Sequence, residues 1–335
     1  MHNLDDFHLE DFRQEFISTG SLPPVDRLRE RVQATYDAIR SNRDGACSQV
    51  YPALAVVDPD LFGISLVDTD GVETSVGDSD TLFPIMSVVK PFVFALMADL
   101  YGPTEMRDRI GVNATGYPFN SVTAIERSPD GRTNPMVNSG AIATTSMAPG
   151  ANREERWQYL QHGLSRLAGR DLEIMDDIFT SASTTNFRNR SIVDALEERG
   201  RVYCDASEAL DIYTRACSLG VTARDLAVMG ATLSDGGVNP VTHGKIVQPE
   251  TCHFSLVVMV TAGMYETSGD WLYLTGLPGK SGISGGIVSI APGKGGMGTY
   301  APLLDEYGNS VKGQIAAAHL SRELGITLFA SSPSE

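Results

Sequence analysis

Phe83-Pro-Ile-Met-Ser-Val-Val-Lys90 is the stretch at which the chain changes character. Ahead of it lie short apolar or alternating runs, Ala53–Val57, Leu61–Val67 and Val72–Val76, separated by Asp58-Pro59-Asp60 and Asp68-Thr69-Asp70-Gly71. Asp-Gly between such runs is a hairpin signal, so these segments are predicted to be antiparallel strands. Behind it, from Ser87 to about Thr242, apolar residues recur at helical spacing. The segments are 87–101, 139–147, 153–168, 189–199, 207–219 and 222–235, joined by Gly- and Asn-rich loops. Thr222-Ala-Arg-Asp225 has the form of an N-terminal capping box with Asp in place of Glu. Residues 1–40 also read as helical, through Leu28, Val32, Tyr36 and Ile39, while strand character returns at 271–275, 283–291 and 296–301 and a last helix fits 310–324. Strands, a helical block, then strands and a helix predict an α+β domain built from residues 1–86 and 243–335, with 87–242 as an inserted helical domain. A cleft between two such lobes is a natural place for a site.

At 335 residues the chain has room for about two average domains. Its 26 basic against 42 acidic side chains leave a formal charge of −16, which argues against nucleic acid or an anionic membrane as partners. Cys47, Cys204, Cys217 and Cys252 form no C-x-x-C pair, and the histidines form no H-x-H or H-x-x-x-H pair, so neither a disulfide scaffold nor a metal site is expected. The opening MHNLDDFHLEDF is acidic and has no apolar h-region. The longest apolar stretches, around Phe92–Ala98 and Leu256–Ala262, fall short of the ~20 residues that span a bilayer. A soluble, cytoplasmic protein is expected.

Two arrangements could carry chemistry. Gly282-Ile-Ser-Gly-Gly286 matches the G-x-S-x-G nucleophile elbow, with Asp305 and His319 following in hydrolase order. That elbow needs a helix after the serine. Here Ile287-Val-Ser-Ile290 reads as a strand, and the match is rejected. The second arrangement is Ser87-Val-Val-Lys90. Positions i and i+3 share a helix face, so the lysine amine can sit beside the serine hydroxyl and, once burial lowers its pKa, take the serine proton. In the first turn of a helix, unpaired N–H groups and the helix dipole also favour an oxyanion. Lys280-Ser-Gly282 follows about 190 residues later at the start of a predicted strand. Ser-x-x-Lys early and Lys-Ser/Thr-Gly late are two of the signatures of serine β-lactamases and penicillin-binding proteins, where the late motif lines an edge strand that supplies the second oxyanion donor.

Five longer blocks sharpen the resemblance. They are Asn134-Pro-Met-Val-Asn-Ser-Gly-Ala-Ile142, Leu226-Ala-Val-Met-Gly-Ala-Thr-Leu-Ser-Asp-Gly-Gly237, Gly263-Met-Tyr-Glu266, Gly276-Leu-Pro-Gly-Lys-Ser-Gly282 and Gly308-Asn-Ser-Val-Lys-Gly313. With them the chain resembles the serine-dependent glutaminases from about residue 25 to 325. The resemblance implies a serine β-lactamase-like α+β fold, an antiparallel sheet flanked by helices plus a helical domain. It also implies hydrolysis of L-glutamine to L-glutamate and ammonia, with no metal or organic cofactor, by a homodimer or homotetramer. By the same resemblance Ser87 is the nucleophile and Lys90 its base, and Tyr213 and Tyr265 line the site, one of them relaying protons. Asn138 and Asn189 hydrogen-bond the substrate, and the backbone of Ile283 joins that of Ser87 in the oxyanion hole.

Three departures stand out. Where the family reads Ser-Glu-x-x-Thr the chain has Ser181-Ala182-Ser183-Thr184-Thr185; Tyr-x-Pro becomes Val50-Tyr51-Pro52; and Met86 replaces a common Gln. By resemblance all three fall on substrate-holding positions, and the missing carboxylate would have paired with the α-ammonium. Two alternatives follow. One keeps the Ser–Lys chemistry on a different amide or ester. The other is a non-catalytic glutaminase-like protein that binds a ligand or partner, favoured by Ala182, Val50 and Met86 and opposed by the joint presence of Ser87, Lys90, Tyr213 and Tyr265. A β-lactam-directed enzyme shares the architecture, but the family-specific blocks argue against it.

Overall fold

The structure is a computed structural model that describes residue 20 and residues 22–330. The helical expectation for residues 1–19 and 21 lies outside the described residues. Helix α1 (Val25–Ile39) follows Pro24 and buries Leu28, Val32 and Ile39, as the spacing predicts, while Thr35 rather than Tyr36 is the fourth fully buried residue and Tyr36 is half-buried. The run Ala53–Val57 is a correction: it is not a strand but the short helix α2 (Pro52–Ala55). Pro52 pre-sets the first helical position, where its missing N–H costs nothing. The hairpin is present as β1 (Gly63–Asp68) and β2 (Glu73–Gly77). Its turn is held by Asp68, whose carboxylate accepts from the backbone N–H groups of Asp70 (2.9 Å) and Val72 (2.8 Å).

Strand β3 (Phe83–Pro84) leads into a 3₁₀ turn, Met86–Val89, and then α3 (Lys90–Tyr101). The helical block continues with α4 (Pro103–Ile110), α5 (Thr123–Arg127), α6 (Asn138–Ser146), α7 (Arg153–Ala168), α8 (Asp176–Thr185), α9 (Phe187–Glu198) and α10 (Ala206–Cys217). Strand β4 (Gly220–Val221) pairs with β3, and α11 (Ala223–Ser234) begins at the capping box, with both Thr222–Asp225 bonds made. Next come α12 (Pro249–Ala262) and α13 (Ser268–Thr275). Here the strand expected at 271–275 is corrected to helix. Trp271-Leu-Tyr-Leu-Thr275 has the aromatic and apolar composition of a strand, but the segment buries Trp271 and Thr275 at i and i+4 and is closed by Gly276 in the left-handed conformation (φ 64°).

Strands β5 (Gly279–Ser281), β6 (Gly286–Ala291) and β7 (Gly295–Tyr300) and helix α14 (Val311–Glu323) complete the chain. The main sheet is antiparallel in the order β2-β1-β7-β6-β5, which leaves the Lys280-Ser motif on an edge strand. Its two faces feed two apolar cores. Val288 and Ile290 of β6 join the core shared with the helical block, while Ile287 and Ala291 join the core under α1 and α14. The α+β class with an antiparallel sheet and flanking helices is therefore as expected.

Helix α11 lies directly on the sheet. A Cβ on Gly296 or Gly298 would run into the carbonyl oxygens of Ala227 and Ala223. For the division into domains we therefore propose that α11 be counted with the sheet rather than with the insert, so that the boundary at 242 moves to just before Ala223. No helix among the described residues is long and apolar enough to cross a membrane.

Candidate active site

The nucleophile turn is clamped from two sides. β3–β4 pairing and the Ile85 N–H donating to the Leu219 carbonyl (2.8 Å) fix its start, and the Phe83 ring stacks on Tyr300 of β7 with centroids 4.0 Å apart. Gly282 lets the loop after β5 come close on the other side, since a Cβ there would press on Ile85, Met86 and Val88. Between these clamps Met86 holds φ at 46°, a strained value for a residue with a side chain. Ser87 sits in the turn and Lys90 opens α3 three residues on.

Lys90 is almost fully buried (2% exposed). Burial lowers its pKa from 10.5 to about 7, against a smaller opposing pull from Cys217. Its amine donates to the Asn138 side-chain carbonyl (2.7 Å) and to the Met136 backbone carbonyl (3.3 Å). Asn138 in turn donates to Asn189 (2.8 Å) and accepts from the Tyr213 hydroxyl (3.4 Å). The Asn-Pro-Met-Val-Asn block explains itself here. Asn134 is structural: it accepts from the Met136 N–H (2.8 Å) and donates to the Val112 carbonyl (2.8 Å). Gly140 has no room for a Cβ against the Asn134 carbonyl, so the loop and α6 pack tightly enough to aim Asn138 at the lysine.

Tyr265 arrives from the other lobe, also at positive φ (55°). Gly263 permits this, because a Cβ there would strike the Gly279 carbonyl of β5. The buried Tyr265 phenol contacts Ser87 and donates to the Ser281 carbonyl (3.3 Å), and its ring lies 4.4 Å from that of Phe119. Burial raises it well above the usual tyrosine range, outweighing the opposing effect of its hydrogen-bond neighbours Ser87 and Ser281. The Lys280 ammonium sits 4.2 Å from the centre of the same ring and donates to the Ser281 carbonyl (2.6 Å). Burial, then the neighbouring Lys90, holds its pKa well below 10.5.

These groups surround a cavity of about 100 Å³ whose lining includes Ser87, Asn138, Asn189, Tyr213 and Ile283. Lys90 and Tyr265 stand behind the wall rather than in it. The Ile283 backbone N–H has no hydrogen-bond partner among the described residues and is free to take an oxyanion. Val50, Met86 and Ala182, the three departures, all line the cavity. So do Phe119, Asn120, Arg188 and Cys217, which sequence reading does not single out. Cys217 follows Tyr213 by one helical turn, and that spacing is the signal that could have found it. Burial pushes its thiol up to about 11.

The rejected elbow stays rejected. Ser284 is followed by strand β6, its hydroxyl is buried without a partner, and His319 is engaged with Thr35 on α1 (2.6 Å). A larger hollow of about 910 Å³ runs along residues 107–133, but no lysine or histidine lines it to activate a nucleophile. Among the described residues no group of three or more His, Cys, Asp or Glu could hold a metal ion.

The glutaminase family model matches residues 45–329. The chain belongs to the glutaminase family. "Glutaminase 2" of Yersinia pestis is 57% identical over 319 residues, covering 95% of this chain and 94% of its own. "Glutaminase 1" of Escherichia coli K12 is 42% identical over 91% of this chain and 98% of its own. A solved structure described as a probable glutaminase superposes with a TM-score of 0.90 at 42% identity, over 92% of this glutaminase and all of that chain. A solved structure described as Mglu in its glutamate form superposes at 0.85 with 32% identity, over 91% of this chain and 71% of its own. These relatives make this glutaminase a hydrolase of the glutamine amide, and the β-lactamase-like α+β fold is the one its motifs predicted.

Proposed function

We propose that this enzyme hydrolyses the side-chain amide of L-glutamine through an acyl-enzyme on Ser87. The observation that carries the reading is the buried Lys90, its pKa lowered to about 7, placed three residues after Ser87 at the start of α3. Lys90 takes the Ser87 proton as Oγ attacks the amide carbon. The developing oxyanion is met by the backbone N–H groups of Ser87 and Ile283. Tyr265, in contact with Ser87, hands a proton to the leaving ammonia, and water then releases glutamate along the reverse path. Tyr213 reaches Asn138 rather than Ser87, so its role is to hold the Asn138–Asn189 pair. No step in this scheme calls for a metal or an organic cofactor. A purely ligand-binding protein would not need a desolvated lysine at this position, whose burial costs stability.

The pH dependence tests the scheme. Only neutral Lys90 is a base, so kcat/KM is expected to rise about tenfold per pH unit below about 7 and to level off above it. A profile flat from pH 5 to 9 contradicts the role. The linked stability effect has a definite sign. Lys90 titrates at 10.5 when unfolded and about 7 when folded, so the unfolded state binds more protons between these values. Stability therefore rises with pH across that window, and below about 7 the full burial cost is felt. The two tyrosines are also separable. Tyr265→Phe is expected to lower kcat by about 10²–10⁴, the range for a general acid–base group. Tyr213→Phe should act mainly on KM, and steady-state ammonia release distinguishes the two.

The cytoplasm is the compartment we propose, on the strength of four free thiols, Cys47, Cys204, Cys217 and Cys252. Assembly as a homodimer or homotetramer rests on the family resemblance alone.

A further inference from the structure

Glutamine brings an amide, a carboxylate and an ammonium into the cavity, and the lining provides unequally for them. No Asp or Glu lines it. At the α8 wall stands the methyl group of Ala182, which is 3% exposed. Several neutral acceptors nearby are committed, and the side-chain carbonyls of Asn120 and Asn186, which also line the cavity, carry no charge. The Asn138 carbonyl takes the Lys90 amine, and the Asn189 carbonyl takes the Asn138 amide. Thr185 donates to the Ser181 carbonyl, and the Thr214 hydroxyl accepts from Asn186. Glu266 packs at Phe119 but is outside the lining, and one of its oxygens already accepts from the Phe119 N–H (3.1 Å). An ammonium brought out of water here finds no opposite charge.

The carboxylate fares better. Arg188 lines the cavity, is exposed at its rim, and its side chain makes no ion pair or hydrogen bond among the described residues. A free guanidinium matches a carboxylate in a two-pronged hydrogen bond. It also repels an ammonium. Both signs point the same way.

We propose that the cavity selects its substrates by their amide and carboxylate ends and leaves the α-ammonium unread. Five-carbon dicarboxylic monoamides with no amine, glutaramate being the simplest, are then substrates on a par with glutamine. The inference rests on Ser87 being the acylated residue, and the chemistry is unchanged. The Ser87 Oγ–carbon bond forms, the carbon–nitrogen bond breaks, Lys90 holds the serine proton, and ammonia leaves with the proton Tyr265 supplies, both groups being restored as water attacks. Water then cleaves the ester to glutarate and restores Ser87. Ala182 is the specificity-determining position in this reading, because it lines a cavity with no Asp or Glu and a carboxylate there would supply the opposite charge that the lining lacks.

The test is ammonia release from glutamine and from glutaramate, by wild type and by Ala182→Glu. Wild type is expected to give kcat/KM for glutaramate within tenfold of that for glutamine, or above it. Ala182→Glu should swing the ratio toward glutamine by about ten- to a hundredfold, the range of one charged hydrogen bond. If that variant does not fold, Thr185→Glu, one turn along α8, places the carboxylate instead. Arg188→Met should raise KM for both amides together. Wild type that prefers glutamine by more than tenfold, or a folded acidic variant with an unchanged ratio, overturns the inference while leaving the glutaminase mechanism standing. Ammonia from neither amide overturns the Ser87 mechanism, and the inference falls with it.

Discussion

Ser87→Ala is expected to reduce glutamine hydrolysis by about 10⁴-fold or more, to the residual level that binding and the oxyanion donors alone sustain. Lys90→Met is expected to come close to the same loss, because without the amine the Ser87 hydroxyl has no base of suitable pKa beside it. Methionine is the better replacement than alanine, since it fills a site that is 2% exposed and removes only the titratable group. The double variant should be scarcely worse than either single one. Residues that act as one unit lose their contribution once, not twice. Ammonia release measured alongside thermal melting separates lost chemistry from lost folding. A well-folded Ser87→Ala protein with full activity would move the nucleophile elsewhere, and Ser284 would be the next residue to replace.

Gly298→Ala should be the most damaging small change outside the site. A Cβ on this β7 residue meets the Ala223 carbonyl oxygen and crowds the Ala227 N–H, both of them backbone atoms of α11. Neither can swing aside as a flexible side chain would, so the helix must lift from the sheet and open the packing around it. Overpacking of this kind costs about 3 kcal/mol or more, which at roughly 2–4 °C per kcal/mol lowers Tm by about 6–12 °C. Gly269→Ala is the matched control. It lies in α13 with nothing within 4 Å of the added carbon, and helix propensity alone should make it neutral or slightly stabilising. A Gly298→Ala melt within a degree or two of wild type would show that α11 is more loosely seated than its backbone distances imply.

Periodicity read the long helices well because each has one consistent apolar face and a local start signal. The bounds of α7 agree with the expected 153–168, and the Thr222 box starts α11 where predicted. It failed where local pattern and tertiary context disagree. Trp271–Thr275 has strand-like composition, yet Gly276 closes a helix there and the Trp271 indole donates to the Leu277 carbonyl just beyond it (2.8 Å). Ala53–Val57 has the composition of a strand and no partner to pair with. At the site, motif spacing named Ser87, Asn138, Asn189, Tyr213 and Ile283 of the lining, but neither Arg188 and Cys217 on α9 and α10 nor Phe119 and Asn120 in a loop. Phe119 and Asn120 sit in a stretch with no periodic signal, and their placement depends on the Asn138 N–H donating to the Phe119 carbonyl (2.8 Å), a contact between segments. Lys280 was legible as a motif, but its position over the Tyr265 ring was not. A cation–ring contact leaves no trace in either residue's neighbours along the chain.

The order of strands across the main sheet sets a timetable for synthesis. β1 is an inner strand, with β2 on one side and β7 on the other. The β1–β2 hairpin can close as soon as it leaves the ribosome, but β7 lies some 230 residues further on. At about 5–20 residues per second, on the order of 10–50 s passes before β1 meets its second neighbour. Throughout that interval β1 offers an open row of backbone donors and acceptors beside the apolar side chains of Ile64 and Leu66. Such an edge templates pairing with other chains. The nascent protein therefore has to be shielded while its helical block is being made. Chains stopped before Gly295 should be far more prone to aggregate than chains stopped after Tyr300.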